Sequence, residues 1–139
     1  MRIITVCTGN TCRSPMAEAM LREKLGDIAE VCSRGIIATG AGPSEESTEV
    51  MREMGYDISD HISKRLSLED IQSADLILTM TLNHKRIIAA SVPSAKDKVF
   101  TLCEYAGIQG DIDDPYGLGL GEYRKCAKKI KKAVEAIEL

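Results

Sequence analysis

Long apolar runs are missing from this sequence. The two longest, Leu76–Leu78 and Ile87–Ala90, fall far short of the roughly 20 residues a membrane span requires, so no transmembrane segment is expected. A signal peptide is missing too: Met1-Arg2-Ile3-Ile4-Thr5-Val6 turns polar before the ~7–15-residue apolar stretch such a peptide needs. The expectation is a chain that starts near Met1 and works in the cytoplasm. A basic excess is also absent. Eighteen Lys and Arg against 21 Asp and Glu give a net charge of −3, which argues against a nucleic-acid binder and adds nothing that favours a membrane surface. There is no CxxC doublet and no Cys/His cluster, hence no predicted zinc site. The five cysteines (7, 12, 32, 103, 126) cannot all pair within one chain, and reduced thiols are expected. Internal repeats, low-complexity segments and long linkers are likewise lacking.

What remains is a 139-residue chain, 44% hydrophobic and 28% charged: enough for one core and one domain spanning residues 1–139. Strand and helix patterns alternate along it. Arg2–Val6 reads as a strand, and Ser14-Pro15 opens a helix to about Leu25, with serine as N-cap and proline at the first helical position. Glu30–Ile37 is a second strand; Ser44-Glu45-Glu46 starts a helix that stops at Gly55. A short helix at Ser67–Ser73, a buried strand at Asp75–Met80, a helix at Leu82–Ala90 and a strand at Lys98–Leu102 follow. From about Gly121 a long helix carries Tyr123, Ala127, Ile130, Val134 and Ile137 on one stripe. Its Lys128, Lys129, Lys131 and Lys132 read as a solvated face. Such alternation predicts an α/β fold, a three-layer α-β-α arrangement around a parallel sheet. Ligands then bind at the carboxyl ends of the strands, where the strand order reverses.

The loop after the first strand, Cys7-Thr8-Gly9-Asn10-Thr11-Cys12-Arg13-Ser14-Pro15, suits one task. Gly9 and Asn10 are residue types that tolerate left-handed backbone, so the segment can close into a cradle. Successive N–H groups, with a helix N-terminus behind them, make a nest for a dianion. Arg13 adds a planar fork of donors. The same positive field favours thiolate over thiol at Cys7, and a nucleophilic sulfur beneath a phosphate attacks phosphorus. Competing motifs fail: there is no GxxxxGK, Gly40-Ala41-Gly42 lacks a third glycine, and Gly117-x-Gly119-x-Gly121 follows no strand and reads as a flexible turn. A purely structural cysteine beside a surface arginine is the competing interpretation of Cys7 and Arg13.

At these residues the chain resembles the low-molecular-weight protein tyrosine phosphatase family, and most of all its protein arginine phosphatase branch. The match includes CTGNTCRSPMAEAM, the SRG segment after the second strand, ADLILTM, DKVFTL and a late Asp-Pro-Tyr. The resemblance implies a four-stranded parallel sheet with the phosphate loop between first strand and first helix. It also implies phosphocysteine chemistry without metal or other cofactor, phosphorylated proteins as substrates, inorganic phosphate as product, and a monomer. It makes Cys7 the nucleophile, Arg13 the phosphate clamp and Asp114 the general acid. Thr8, Gly9, Asn10, Thr11, Cys12 and Ser14 would hold the phosphate with Arg13, and Tyr116 would line the substrate slot. Ser14 would donate to the Cys7 sulfur, and Asn10 would brace the loop through Ser33 and His61. A reversible Cys7–Cys12 disulfide would protect the site under oxidation. Pro115 restricts the backbone of Asp114, while Asp111 and Asp113 would help it keep a proton by like-charge repulsion. Asp113 is the fallback acid, and a merely solvated acidic turn is the competing interpretation. His84 receives no role.

Thr11 bears on the substrate. The family position is usually aliphatic in tyrosine phosphatases, whereas threonine resembles the phosphoarginine branch, where its hydroxyl could accept from a guanidinium N–H. The expected function is hydrolysis of phosphoarginine on proteins, with tyrosine phosphatase as the alternative. Arsenate reductase shares the fold and loop but relays oxidation through two further cysteines on one mobile segment, and Cys103 and Cys126 are widely separated. A non-catalytic phosphate-binding module would need neither a thiol nor an acid.

Overall fold

A computed structural model describes all 139 residues. Four strands, β1 (Arg2–Cys7), β2 (Glu30–Gly35), β3 (Leu76–Thr79) and β4 (Val99–Thr101), form one sheet in the order β2-β1-β3-β4. Every pairing is parallel. The helices are α1 (Arg13–Leu25), α2 (Glu45–Glu53), α3 (Leu68–Ser73), α4 (Leu82–Ser91), α5 (Leu102–Tyr105) and α6 (Leu120–Ala136), with 3₁₀ turns at Gly26–Ile28 and Pro93–Lys98. None of them is long and apolar enough to cross a membrane.

The sheet is buried on both faces because its strands are apolar on both. Ile3 and Cys7 of β1 join the larger cluster with Met16 and Leu21 of α1 and Tyr123, Ala127 and Ile130 of α6. Ile4 and Val6, pointing the other way, meet Ile71 of α3 and Ile88 of α4. The predicted stripe on α6 is buried throughout, Tyr123 through Ile137.

Several elements begin or end at other residues than the sequence suggests. Ser14 is not the N-cap of α1. The helix begins at Arg13, Cys12 occupies the cap position, and no side chain caps the end; Pro15 is therefore the third helical residue. β2 stops at Gly35 rather than Ile37: the Ile36 N–H still meets the Cys7 carbonyl at 3.0 Å, but the next residue, Ile37, turns its N–H onto the Thr8 carbonyl at 3.0 Å, out of the ladder pattern. β4 ends at Thr101, since Thr101 and Glu104 form a capping box that draws Leu102 into α5. Ser44 caps α2, its hydroxyl accepting from the Ser47 N–H.

The parallel order reverses between β1 and β3, both central strands. The crevice at their carboxyl ends lies where Cys7 leaves β1, the place a doubly wound sheet offers to a ligand.

Candidate active site

Between β1 and α1, residues 7–13 close around a recess of about 150 Å³ lined by Cys7, Thr8, Gly9, Thr11, Cys12 and Arg13, with Asp114 and Tyr116 facing in from the loop before α6. The turn depends on Asn10, the one non-glycine residue with positive φ (58°). Gly9 keeps a negative φ, so the left-handed position falls on Asn10 alone. Asn10 is completely buried, and its carboxamide orientation is settled by its partners. Its Oδ1 accepts from the Lys64 N–H at 2.9 Å and its Nδ2 donates to Ser14 Oγ at 2.8 Å. His61 Nε2 donates to the Asn10 carbonyl at 2.7 Å. His61 therefore stands against the loop backbone at Asn10. The Ser33 side chain makes no such hydrogen bond: its hydroxyl is buried without a hydrogen-bond partner.

Cys7 is 2% exposed and lines the recess, and its sulfur meets two neighbours. It accepts from the Asn10 N–H at 3.2 Å and lies 2.9 Å from Ser14 Oγ. Ser14 already accepts from Asn10, and its other neighbour, the Arg34 carbonyl, is more distant at 3.4 Å. The Ser14 proton therefore points best at sulfur. With Cys12 in the cap position and no side chain covering the helix end, the first N–H groups of α1 are left for an anion.

Arg13, 4% exposed, stands in the wall. One terminal nitrogen donates to the Ile112 carbonyl at 2.9 Å, and the other lies 3.8 Å from Asp114 Oδ2. Its Nε–H is buried without a partner in the protein, a donor free for an oxyanion. Asp114 is half-exposed, so its ion pair with Arg13 is weak. Asp114 Oδ1 accepts from the Tyr116 N–H at 3.1 Å, across the proline. Asp113 does not line the recess. Asp111 caps the first turn of α4 through the Leu82 N–H at 3.0 Å. Tyr116 is exposed, its ring open to whatever enters.

Three features escaped the sequence. Gly35, paired with Cys7 in the ladder, packs directly under the loop: a Cβ there would sit 2.8 Å from the Thr8 carbonyl and 2.9 Å from the Asn10 amide nitrogen. Both are backbone atoms, so the loop itself has to shift. Gly35→Ala is expected to cost about 1–3 kcal/mol of stability and to impair phosphate binding; a wild-type melting temperature together with a wild-type phosphate inhibition constant would contradict this. The second is the setting of Cys12, a residue the sequence did single out: its sulfur is held 3.4 Å from Ser44 Oγ and 3.4 Å from the hydroxyl of fully buried Tyr123. Burial, helped by the Cys12 contact, pushes the Tyr123 phenol well above its usual range.

The third is His84, 5% exposed, with Nε2 2.9 Å from Thr8 Oγ1. Burial, then the nearby Arg13 charge, lowers its pKa to about 4. Below its ordinary pKa of ~6.5 the unfolded chain takes up a proton here that the folded one refuses, so stability falls as pH drops from about 6.5 toward about 4. By pH 5 the loss amounts to about 2 kcal/mol. The melting temperature of the wild type should fall more between pH 7 and pH 5 than that of His84→Gln. Equal decreases would contradict the assignment.

Cys103 and Cys126 lie apart on α5 and α6, outside the recess. Burial raises both thiols, Cys126 to about 12. Neither is suited to a thiolate relay.

A sulfur facing two hydrogen-bonding groups, beside an unpartnered arginine Nε–H and an uncapped helix end at the switch point of a parallel sheet, defines a cysteine-dependent phosphatase. The comparisons make the class specific. The family model described as low molecular weight phosphotyrosine protein phosphatase matches residues 2–138, and the chain belongs to that family. It is 41% identical over 138 residues to a protein-arginine-phosphatase of Geobacillus stearothermophilus, covering 98% of this chain and 93% of that one. It is 42% identical over 135 residues to the probable low molecular weight protein-tyrosine-phosphatase EpsP of Ralstonia solanacearum, covering 96% and 91%. Among solved structures, a mutant of the YwlE arginine phosphatase with a phosphorylated active-site serine superposes with a TM-score of 0.91 at 38% identity, over 98% of this chain and 92% of that one.

Proposed function

We propose that this phosphatase hydrolyses phosphoarginine on proteins. The observation that carries the reading is Thr11 in the wall of the recess. Its hydroxyl has one polar neighbour, the Cys12 sulfur at 3.7 Å, which leaves oxygen lone pairs for a substrate N–H. An isoleucine there would bury that N–H unpaired. Relatives named as protein-arginine-phosphatases, matched over nearly the whole chain, support it. The tyrosine phosphatase reading is supported by a relative of equal similarity, and Tyr116 would stack on a phenol as well as on a guanidinium.

The chemistry proceeds in two displacements. The Cys7 thiolate attacks phosphorus in line, forming the S–P bond as the P–N bond breaks. Arg13 and the loop amides other than that of Asn10, which is spent on the Cys7 sulfur, hold the three equatorial oxygens. Asp114 gives its proton to the departing guanidine nitrogen. It then takes a proton from water as the water oxygen attacks phosphorus, the S–P bond breaks, and inorganic phosphate leaves. Asn10, Ser14 and His61 keep the loop and sulfur in place. Under peroxide, Cys7 and Cys12 would give up two electrons and two protons and close a disulfide, protecting the nucleophile from irreversible oxidation. The odd cysteine count supports a reducing compartment, the cytoplasm, where the enzyme would act as a monomer on phosphorylated proteins, independently of nucleic acid and membranes.

Thr11→Ile tests the specificity. Turnover of phosphoarginine peptides should fall about tenfold to a hundredfold, the cost of ~1–3 kcal/mol for one unpaired donor, while phosphotyrosine turnover is retained. A wild-type preference for phosphotyrosine would refute the arginine reading. An unchanged preference in Thr11→Ile would refute the role of Thr11.

A further inference from the structure

His84 lies 76 positions from Thr8, outside the loop and outside the mechanism above, yet its ring is the one side chain that reaches the Thr8 hydroxyl. The geometry is built rather than incidental. Thr81 caps α4 by accepting from the His84 N–H at 3.2 Å, and Asp111 caps the same turn at Leu82, so the ring projects from a helix end anchored on both sides. Thr8 itself is exposed and lines the recess beside Cys7. The charged groups facing the ring are Arg13, Asp111 and Asp114. Burial and Arg13 outweigh the two carboxylates, so the ring is neutral and carries a single N–H.

Which nitrogen holds that proton decides what Thr8 can do. His84 Nδ1 is buried with no hydrogen-bond partner. An orphaned N–H in such a place is costlier and rarer than an orphaned lone pair, which puts the proton on Nε2. Nε2–H then donates to Thr8 Oγ1 and leaves the threonine with its own proton to give. The opposite arrangement, Thr8 donating to Nε2, would turn only oxygen lone pairs toward a bound dianion and would be repelled by it.

We propose that His84 is a positioning residue for phosphate binding: its Nε2–H holds the Thr8 hydroxyl so that Thr8 presents a proton to the bound phosphoryl oxygens, adding a side-chain donor to the loop amides and Arg13. The pair acts on the phosphoryl group and not on the leaving group. It therefore holds whether the substrate is phosphoarginine or phosphotyrosine, and failure of one reading leaves the other standing.

The test uses competitive inhibition by inorganic phosphate, measured with a phosphomonoester substrate, in wild type, Thr8→Val, His84→Leu and the double variant. Each single change should weaken phosphate inhibition about tenfold, one hydrogen bond to a charged group. The double variant should be no worse than either single one. His84→Gln, whose terminal N–H can replace Nε2–H, should recover much of the loss. In the phosphate-bound wild type, ¹⁵N NMR of the labelled imidazole should show the Nε2–H tautomer. An Nδ1–H tautomer, unchanged phosphate inhibition in Thr8→Val, or multiplying losses in the double variant would each overturn the proposal. Thr8→Val keeps the test open even if His84→Leu folds poorly, because Thr8 is exposed.

Discussion

Cys7→Ser should lower kcat by roughly 10⁴-fold or more, the scale seen when a covalent nucleophile is lost, while the variant folds and binds inorganic phosphate nearly as well as wild type. The two parts of this expectation have separate causes. Binding belongs to the unpartnered Arg13 Nε–H, the open end of α1 and the loop amides, of which only that of Asn10 is engaged with the sulfur. Turnover belongs to the nucleophile on which the Asn10 N–H at 3.2 Å and the Ser14 hydroxyl at 2.9 Å converge, and an alcohol in its place is a far weaker acid and a poorer nucleophile than a thiol. Steady-state turnover on phosphorylated peptides and phosphate inhibition constants measure both. A serine variant within tenfold of wild type would mean that the sulfur is not the attacking atom.

Asp114→Asn should cost 10²–10⁴-fold, the usual yield of a positioned general acid, and the loss should depend on the leaving group. A guanidine nitrogen needs the proton and should suffer most. A leaving group as stable as p-nitrophenolate needs it least, so the variant should retain more of its activity there. Asp113→Asn should be nearly silent on both substrates, because Asp113 stands outside the recess that Asp114 lines. A larger loss from Asp113→Asn, or a loss from Asp114→Asn indifferent to leaving group, would transfer the acid role elsewhere.

The order of the four strands and of every helix but α5, and the place of the loop between β1 and α1, were legible in the sequence because they rest on local signals: β-rich runs, capping residues, and a loop whose residue types share one purpose. Ser14 shows where local signals mislead. A serine before a proline reads as a helix cap, but here the hydroxyl is claimed by the Cys7 sulfur and the Asn10 carboxamide, and the helix end stays open for an anion. α5 was hidden because a strand run passes straight into its capping box at Thr101. Ser33 carried an expectation that came from resemblance, and its buried hydroxyl meets no partner. Gly35 and His84 could not be read locally at all. Their partners, the Thr8 carbonyl and the Thr8 hydroxyl, lie 27 and 76 positions away and meet them only once β2 and α4 have packed beside β1.

Rapid acid quench during turnover of a ³²P-labelled substrate, followed by peptide mapping and ³¹P NMR, addresses the central claim without relying on any variant. A phosphoryl group bonded to the sulfur of Cys7, forming and decaying at rates that account for kcat, is the predicted result. Label found on oxygen or nitrogen, or no protein-bound phosphorus at any time during turnover, would contradict it.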